Sequence, residues 1–373
     1  MVPRFNQRAI AGAMLAATVA LAAAGCGSSS KDNKSSSSSS GGGKGAKIAL
    51  LLPENQTARY EAQDKPQFIA RVKQLCPSCQ VLYANANQDA AKQQQQAESM
   101  LTQGAKVLVL DAVDVKAAAA IATRAKQSNV PVVSYGRLVA NSPLAYYVSI
   151  DPYKVGQQQA QVLLDALKRQ GKSKPSIVMI NGSPTDSNAP PYKKGAHSVF
   201  DPAGVKVLKE YDTPDWTPAK AQSEMDQAIT AVGAGKIDGV YVANDGMATG
   251  VVAAMKAAHI DPSKVPVTGQ DAEVTGVQRI LAGEQLMTVY QPINKIAAAS
   301  AELAVPLAQG KTPPKITNGK TNNGKADIPS VLLPTIAITK TNVKDTVVKD
   351  GFVKPADLCT GPYAKACQQA GIQ

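Results

Sequence analysis

From residue 47 onward the chain repeats one unit: a short apolar run closed by a turn signal, then a stretch in which apolar residues return every three or four positions. Short apolar runs bounded by Pro, Gly, Asn or Asp read as strands buried on both faces, and the longer period reads as helix. Strands separated by helices cannot close as hairpins, so they must pair in parallel, with helices as right-handed crossovers. Strands are predicted at 47–53, 80–84, 107–110, 130–134 and 146–149, with helices over 57–75, 89–103 and 115–128. The series then starts again. Helices are predicted at 153–169, 191–200, 219–232, 246–258, 273–282 and 293–308, and strands at 176–181, 205–211, 239–243, 265–268 and 286–290.

So many strands suit two doubly wound parallel-sheet lobes better than one, giving an α/β fold class. An N-terminal lobe is expected over 46–149 plus about 293–320, and a C-terminal lobe over 150–292. Residues 321–373, polar and Pro-containing at first, are expected to cross between the lobes again. Several crossings favour hinge closure about a cleft over loose tethering. Aromatic residues make up 4% of the chain and Trp occurs once, so Ala, Val, Ile and Leu must fill the core.

Residues 1–25 have a basic start with Arg4 and Arg8, then an apolar run from Ala9 to Ala24. That order reads as a secretory signal. It ends Ala-Ala-Gly before Cys26 and resembles a bacterial lipobox, with Ala23 where Leu is usual. Cys26 is therefore expected to carry lipid and hold the protein on the outer side of the cell membrane. Residues 26–45 are mostly Ser, Gly and Lys and read as a flexible tether. Export makes disulfides plausible among Cys76, Cys79, Cys359 and Cys367. Three pairings are open to four cysteines; the local ones, 76–79 and 359–367, need no distant contact. No His lies near the Cys76-Pro-Ser-Cys79 run, which argues against zinc. The formal net charge of +12 is scattered, without an aromatic-interleaved basic run. It reads as a solvated surface near an anionic envelope and not as a nucleic-acid site.

Ligands of open α/β sheets bind beyond the carboxyl ends of the strands. The polar residues there fall in Glu54–Tyr60, Tyr135–Arg137, Gly182–Asn188, Thr213–Trp216, Asn244–Asp245, Gln270–Asp271 and Gln291. These segments offer guanidinium groups, carboxylates, amides and aromatic rings, but no His. The set suits a polyhydroxyl ligand: charged groups fix hydroxyls, and rings cover the flat apolar face of a sugar. It needs neither cofactor nor metal. Asp245 reads first as the cap of the following helix and second as a ligand contact; Asp151 reads as a cap, and His197 and His259 as surface residues.

These segments resemble the type I periplasmic sugar-binding proteins, and within them the xylose-binding subgroup. The matching stretches include Gly182-Ser183-Pro184-Thr185-Asp186-Ser187-Asn188, Asn244-Asp245, Gly269-Gln270-Asp271-Ala272, Met287-Thr288-Val289-Tyr290 and Asn322-Asn323-Gly324. The resemblance implies a monomeric receptor that binds a monosaccharide and hands it to an ABC importer permease. It assigns Arg59 and Arg137 to ligand hydroxyls, with surface ion pairs as the alternative. Tyr60 would cover one sugar face and Trp216 would stack on the ring; a core Trp is the alternative for the latter. Asp186, Asn188, Asn244 and Asp271 would contact the ligand, and Gln291 takes the position after Val-Tyr; for Asp271 a cap on the helix over 273–282 is the alternative, and the two roles are compatible. Two departures stand out. The family has Asp where this chain has Gly136, which removes a carboxylate beside Arg137. It has Lys where this chain has Gln291. The xylose-like ligand is therefore one expectation and another aldose a second. A receptor feeding a membrane sensor is an alternative role. A hydrolase using Asp186 and Asp271 is the rival class, disfavoured because the Arg neighbours are expected to keep both ionised and leave no raised acid.

Overall fold

The computed structural model describes residues 45–372. The signal, Cys26 and all of the tether except Gly45 lie outside the described residues.

The first lobe is built on β1 (Lys47–Leu52), β2 (Gln80–Asn85), β3 (Ala105–Leu110), β4 (Val132–Tyr135) and β5 (Tyr146–Ile150). All pair in parallel, in the order β5-β4-β3-β1-β2. Successive residues of β1 serve opposite faces, as a strand buried on both sides requires. Ile48, Leu50 and Leu52 meet Phe68 and Val72 in one cluster, while Ala49 and Leu51 meet Ala97, Met100 and Ile121 in another. Helix α1 (Lys65–Leu75) lies on the first face, α2 (Ala90–Thr102) and α3 (Ala119–Gln127) on the second.

In the second lobe follow α4 (Pro152–Arg169), β6 (Ser176–Asn181), α5 (Ala189–Phe200), β7 (Lys206–Asp212), α6 (Pro218–Val232), β8 (Gly239–Val242), α7 (Asp245–Ala257), α8 (Val274–Ala282) and β9 (Met287–Tyr290). Strands β7, β6 and β8 form a parallel sheet. The strand expected at 265–268 is reduced to one bridge, Val240 with Val267. Residues 266–271 still link β8 to β9 through single hydrogen bonds. Thr268 N donates to Val240 O, Leu286 N to Val267 O, and Asp271 N to Val289 O. The positive φ of Asp271 and Ala272 turns the chain out of the strand here.

Helix α9 (Ile293–Ala308) packs back on α1 and on β1, β3, β4 and β5. Then β10 (Gly319–Asn322) and β11 (Asp327–Leu333) extend the first sheet beyond β5, and β12 (Ile336–Thr339) pairs with β9 in the second lobe. The chain thus passes between lobes after β5, after β9 and after β11. Disulfides join Cys76 to Cys79 and Cys359 to Cys367.

Two helices differ in their first turns. The helix expected from 57 opens as a wide turn, Tyr60–Asp64, before α1, with Lys65 N bonded to Tyr60 O. The helix expected from 115 begins at Ala119, after the Asp114 carboxylate has accepted the amides of Lys116 and Ala117.

Candidate functional site

The carboxyl ends of both sets of strands face one cleft of about 470 Å³, counting the space at its mouth. All nine residues assigned to ligand contact from the sequence line it. Arg59, Tyr60 and Arg137 come from the first lobe; Asp186, Asn188, Trp216, Asn244 and Asp271 come from the second; Gln291 sits between β9 and α9. Each is buried.

Loop 54–59 is shaped from within. The buried Glu54 carboxylate accepts the amides of Gln56 and Thr57, folding the loop back so that Arg59 enters the cleft. The Arg59 guanidinium lies 4.7 Å from the Tyr60 ring centre, and the Tyr60 hydroxyl receives a 3.4 Å hydrogen bond from Arg137. Tyr60 therefore ties the two arginines together, which adds to any covering role.

Arg59 sits among carboxylates. Its Nε is 3.5 Å from Asp64 Oδ2 and its Nη1 is 3.8 Å from Asp271 Oδ1. Gln291 closes this group, accepting from Arg59 at 3.1 Å and donating to Asp271 at 2.9 Å. The neutral amide at 291 thus serves both charges at once. Burial alone would lower the Arg59 pKa, but Asp64, Tyr60 and Asp271 outweigh it and hold the cation.

Arg137 bridges the lobes. Its Nε lies 2.8 Å from Asp186 Oδ2 across the cleft, and its Nη1 donates to Ala112 O at 2.8 Å. Other bonds hold the lobes together around the site: Asn188 Nδ2 to Gly136 O, Leu138 N to Ser187 Oγ, Gln88 Nε2 to Asp215 O, and Ala58 N to Glu273 Oε1.

Trp216 closes one wall. It and Asp215 both have positive φ, a conformation that costs of order 1–3 kcal/mol per non-Gly residue. The strain swings the indole over Gly182, where an added Cβ would fall 2.0 Å from the ring. Tyr192 meets the indole edge-on with centroids 6.4 Å apart. Among the described residues the indole Nε1 has no hydrogen-bond partner.

Several expectations are corrected here. Asn244, not Asp245, caps α7, accepting from Met247 N at 2.9 Å. Asp245 turns away from the cleft and is held by Gln285 and Thr288. Asp271 makes no cap, since α8 begins at Val274 with Glu273 before it, so its carboxylate is left to Gln291 and the cleft. The carboxylate thought to be lost beside Arg137 is present. Asp111, at the end of β3, lines the cleft with Oδ1 3.6 Å from Arg137 Nε. The arginines also fail to hold every carboxyl low: burial outweighs Arg59 and pushes Asp271 above the ordinary range.

Sequence reasoning missed Asp111, Ser149, Tyr192 and Ile296 among the lining residues. Asp111 carried a usable signal, since it directly follows the Val107–Leu110 run as the other site residues follow theirs. Tyr192 and Ile296 lie inside helices, where nothing in the spacing separates a cleft residue from a core one.

The sequence pattern of the periplasmic binding protein domain matches residues 48–312, and the chain belongs to this family. It is 35% identical over 274 residues to the D-xylose-binding periplasmic protein of Escherichia coli, covering 72% of this chain and 80% of that one. It is 31% identical over 290 residues to the multiple sugar-binding periplasmic receptor ChvE of Rhizobium radiobacter, covering 74% and 81%. A solute-binding protein of an ABC transporter from Clostridium phytofermentans, solved with bound β-D-glucose, superposes with a TM-score of 0.75 at 26% identity, covering 84% and 99%. Two of these relatives are named as sugar-binding proteins and the third as a solute-binding protein of an ABC transporter.

Proposed function

We propose that this member of the periplasmic binding protein family captures a neutral monosaccharide in the cleft and delivers it to an ABC importer. The observation that carries the reading is the composition of the facing walls. Two buried guanidinium groups, each beside carboxylates, and one strained indole converge on a single cleft. Such groups fix hydroxyls and cover an apolar ring face, and each charge-assisted bond contributes roughly 1.5–3 kcal/mol. A few of them reach the ~8 kcal/mol of a micromolar complex. An aldose of the xylose or glucose type fits this chemistry, and the named relatives support both.

The test is a thermal-shift screen of pentoses, hexoses and inositols on the purified full-length protein. A bound ligand raises the melting temperature by mass action. At least one neutral sugar should do so without being consumed, and should change Trp216 fluorescence. A sugar that disappears on incubation would instead make the protein an enzyme. No shift with any of these compounds would end the sugar reading.

We further propose that Cys26 is lipidated and tethers the receptor outside the cell through residues 27–45. Replacing Cys26 by Ser should move the protein from the membrane fraction to the soluble one; retention in the membrane would sink the anchor.

A further inference from the structure

We infer that Asp111 is the carboxylate that selects the ligand, reaching from the end of β3 into the space a side chain at position 136 would fill, and that it accepts hydroxyl groups of an uncharged sugar or polyol. This rests on the sugar-receptor reading above.

Asp111 is fully shielded from solvent, yet among the described residues neither of its carboxylate oxygens has a hydrogen-bond partner. Its main chain is fixed: N donates to Leu51 O at 2.9 Å, and O accepts from Gln93 Nε2 at 2.8 Å. The side chain is thus aimed by β3 and not by its own contacts. Arg137 gives it charge compensation but no hydrogen bond. That guanidinium hydrogen-bonds Ala112 O and Tyr60, and its Nε, 2.8 Å from Asp186 Oδ2, makes an ion pair there without a hydrogen bond. A buried carboxylate in this condition is costly by several kcal/mol unless donors reach it. Burial accordingly pushes its pKa well above the ordinary range, against the pull of Arg137 and Arg59. Donors that lower this cost can come from a ligand lying in the same cleft.

Gly136 makes the arrangement possible. Its φ of +66° is one that side chains rarely adopt, and an added Cβ would fall 2.5 Å from Asp111 Oδ2. Three donors, Tyr147, Ser149 and Asn188, hold the Gly136 carbonyl and fix the peptide in place. The end of β4 therefore presents no side chain, and the Asp111 carboxylate occupies that volume. The wall also sets the ligand's charge. Asp111, Asp186 and Asp271 line it with Arg59 and Arg137, three carboxyls to two guanidiniums, and Asp64 adds a fourth carboxyl behind Arg59, which disfavours a uronate or sugar phosphate.

The experiment is calorimetry on the purified full-length protein with D-xylose, D-glucose, myo-inositol and D-glucuronate, followed by the monodeoxy analogues of the strongest binder. Asp111→Ala should weaken that binder by about 100-fold, one or two charged hydrogen bonds' worth, while the sugar-free melting temperature does not fall. In wild type one deoxy analogue should bind worse than its parent. In Asp111→Ala that difference should vanish, because the partner of the missing hydroxyl is gone. Gly136→Ala should weaken binding too, by displacing Asp111. The double variant Asp111→Ala with Gly136→Asp should recover at least about tenfold, since Asp tolerates positive φ better than most residues and returns a carboxylate to the same volume.

Unchanged affinity in Asp111→Ala, a deoxy pattern identical in variant and wild type, or D-glucuronate binding tighter than D-glucose would each overturn the inference while leaving the receptor reading intact. A wild type that binds none of the neutral compounds would overturn the receptor reading, and the inference with it.

Discussion

Asp111 and Asp245 occupy comparable places in the two lobes. Each closely follows a parallel strand, β3 in the first lobe and β8 in the second, and each is fully shielded from solvent. Each is crowded by glycine. A Cβ at Gly136 would strike Asp111, and one at Gly269 or Gly276 would strike Asp245 at 2.0 or 2.3 Å. What differs is the donors. Asp245 Oδ1 accepts from Gln285 at 2.6 Å, and its Oδ2 accepts from Thr288 at 2.8 Å and Glu273 N at 3.0 Å. Asp111 has none of these. Depth alone therefore does not mark a ligand group in this protein. Of these two carboxylates, the one turned from the cleft and satisfied by its own chain is scaffold, and the one lining the cleft with its oxygens unsatisfied is the one we propose for the ligand. Asp245 pins α7 to the start of α8 and to β9, and so sets where Asn244 and Asp271 stand.

The largest expected effect breaks the comparison if it fails. Asp245→Ala leaves Gln285, Thr288 and the Glu273 amide without their shared acceptor, which should cost about 3–5 kcal/mol of unfolding free energy at 1–3 kcal/mol for each unsatisfied buried donor. Asp111→Ala removes a carboxylate that has no hydrogen bonds to lose, so sugar-free stability should equal that of wild type or rise. Urea unfolding of both variants measures this. A loss at Asp111 equal to that at Asp245 would show that both are scaffold.

The same contrast explains what could be read from the chain beforehand. Alternation of strand and helix was legible because each strand is buried on both faces and leaves an unbroken apolar run, as Val107–Leu110 does. The exception is 265–268, where Pro266 and the turn at Asp271 reduce a strand-like run to single bonds. The cleft residues were legible because strand ends are fixed by topology. What was not legible was who satisfies whom. Asp245 and Asp111 look alike in sequence, and their difference depends on Gln285 and Thr288, forty or more residues away from Asp245. Gly136 looked like a lost carboxylate for the same reason: the replacement comes from a neighbouring strand, not from the same position.

The smallest effect sharpens the comparison through pH. Burial, with Asp271 adding to it and Arg279 and the hydrogen bonds opposing, pushes Asp245 up to about 7. Burial, with Asp245 and Asp271, pushes Glu273 up to about 8. In the unfolded chain both ionise near the ordinary carboxyl range, ~4. Between these limits the native state holds more protons than the unfolded one, so stability must fall as pH rises, and level off above about 8. The slope is at most about 1.4 kcal/mol per pH unit for each group. Melting temperatures of sugar-free protein from pH 5 to 9 should show this decline, and Asp245→Asn should make it shallower. Asp111, raised by burial, contributes in the same sense. Its contribution should respond to sugar, because ligand hydroxyls stabilise the anion and draw its pKa down. The contribution of Asp245, which faces away from the cleft, should not respond. With saturating sugar, the profiles of wild type and Asp111→Asn should therefore converge in slope, while those of wild type and Asp245→Asn stay apart. Convergence for both variants, or for neither, would mean that the two carboxylates do not divide into ligand and scaffold as their hydrogen bonds imply.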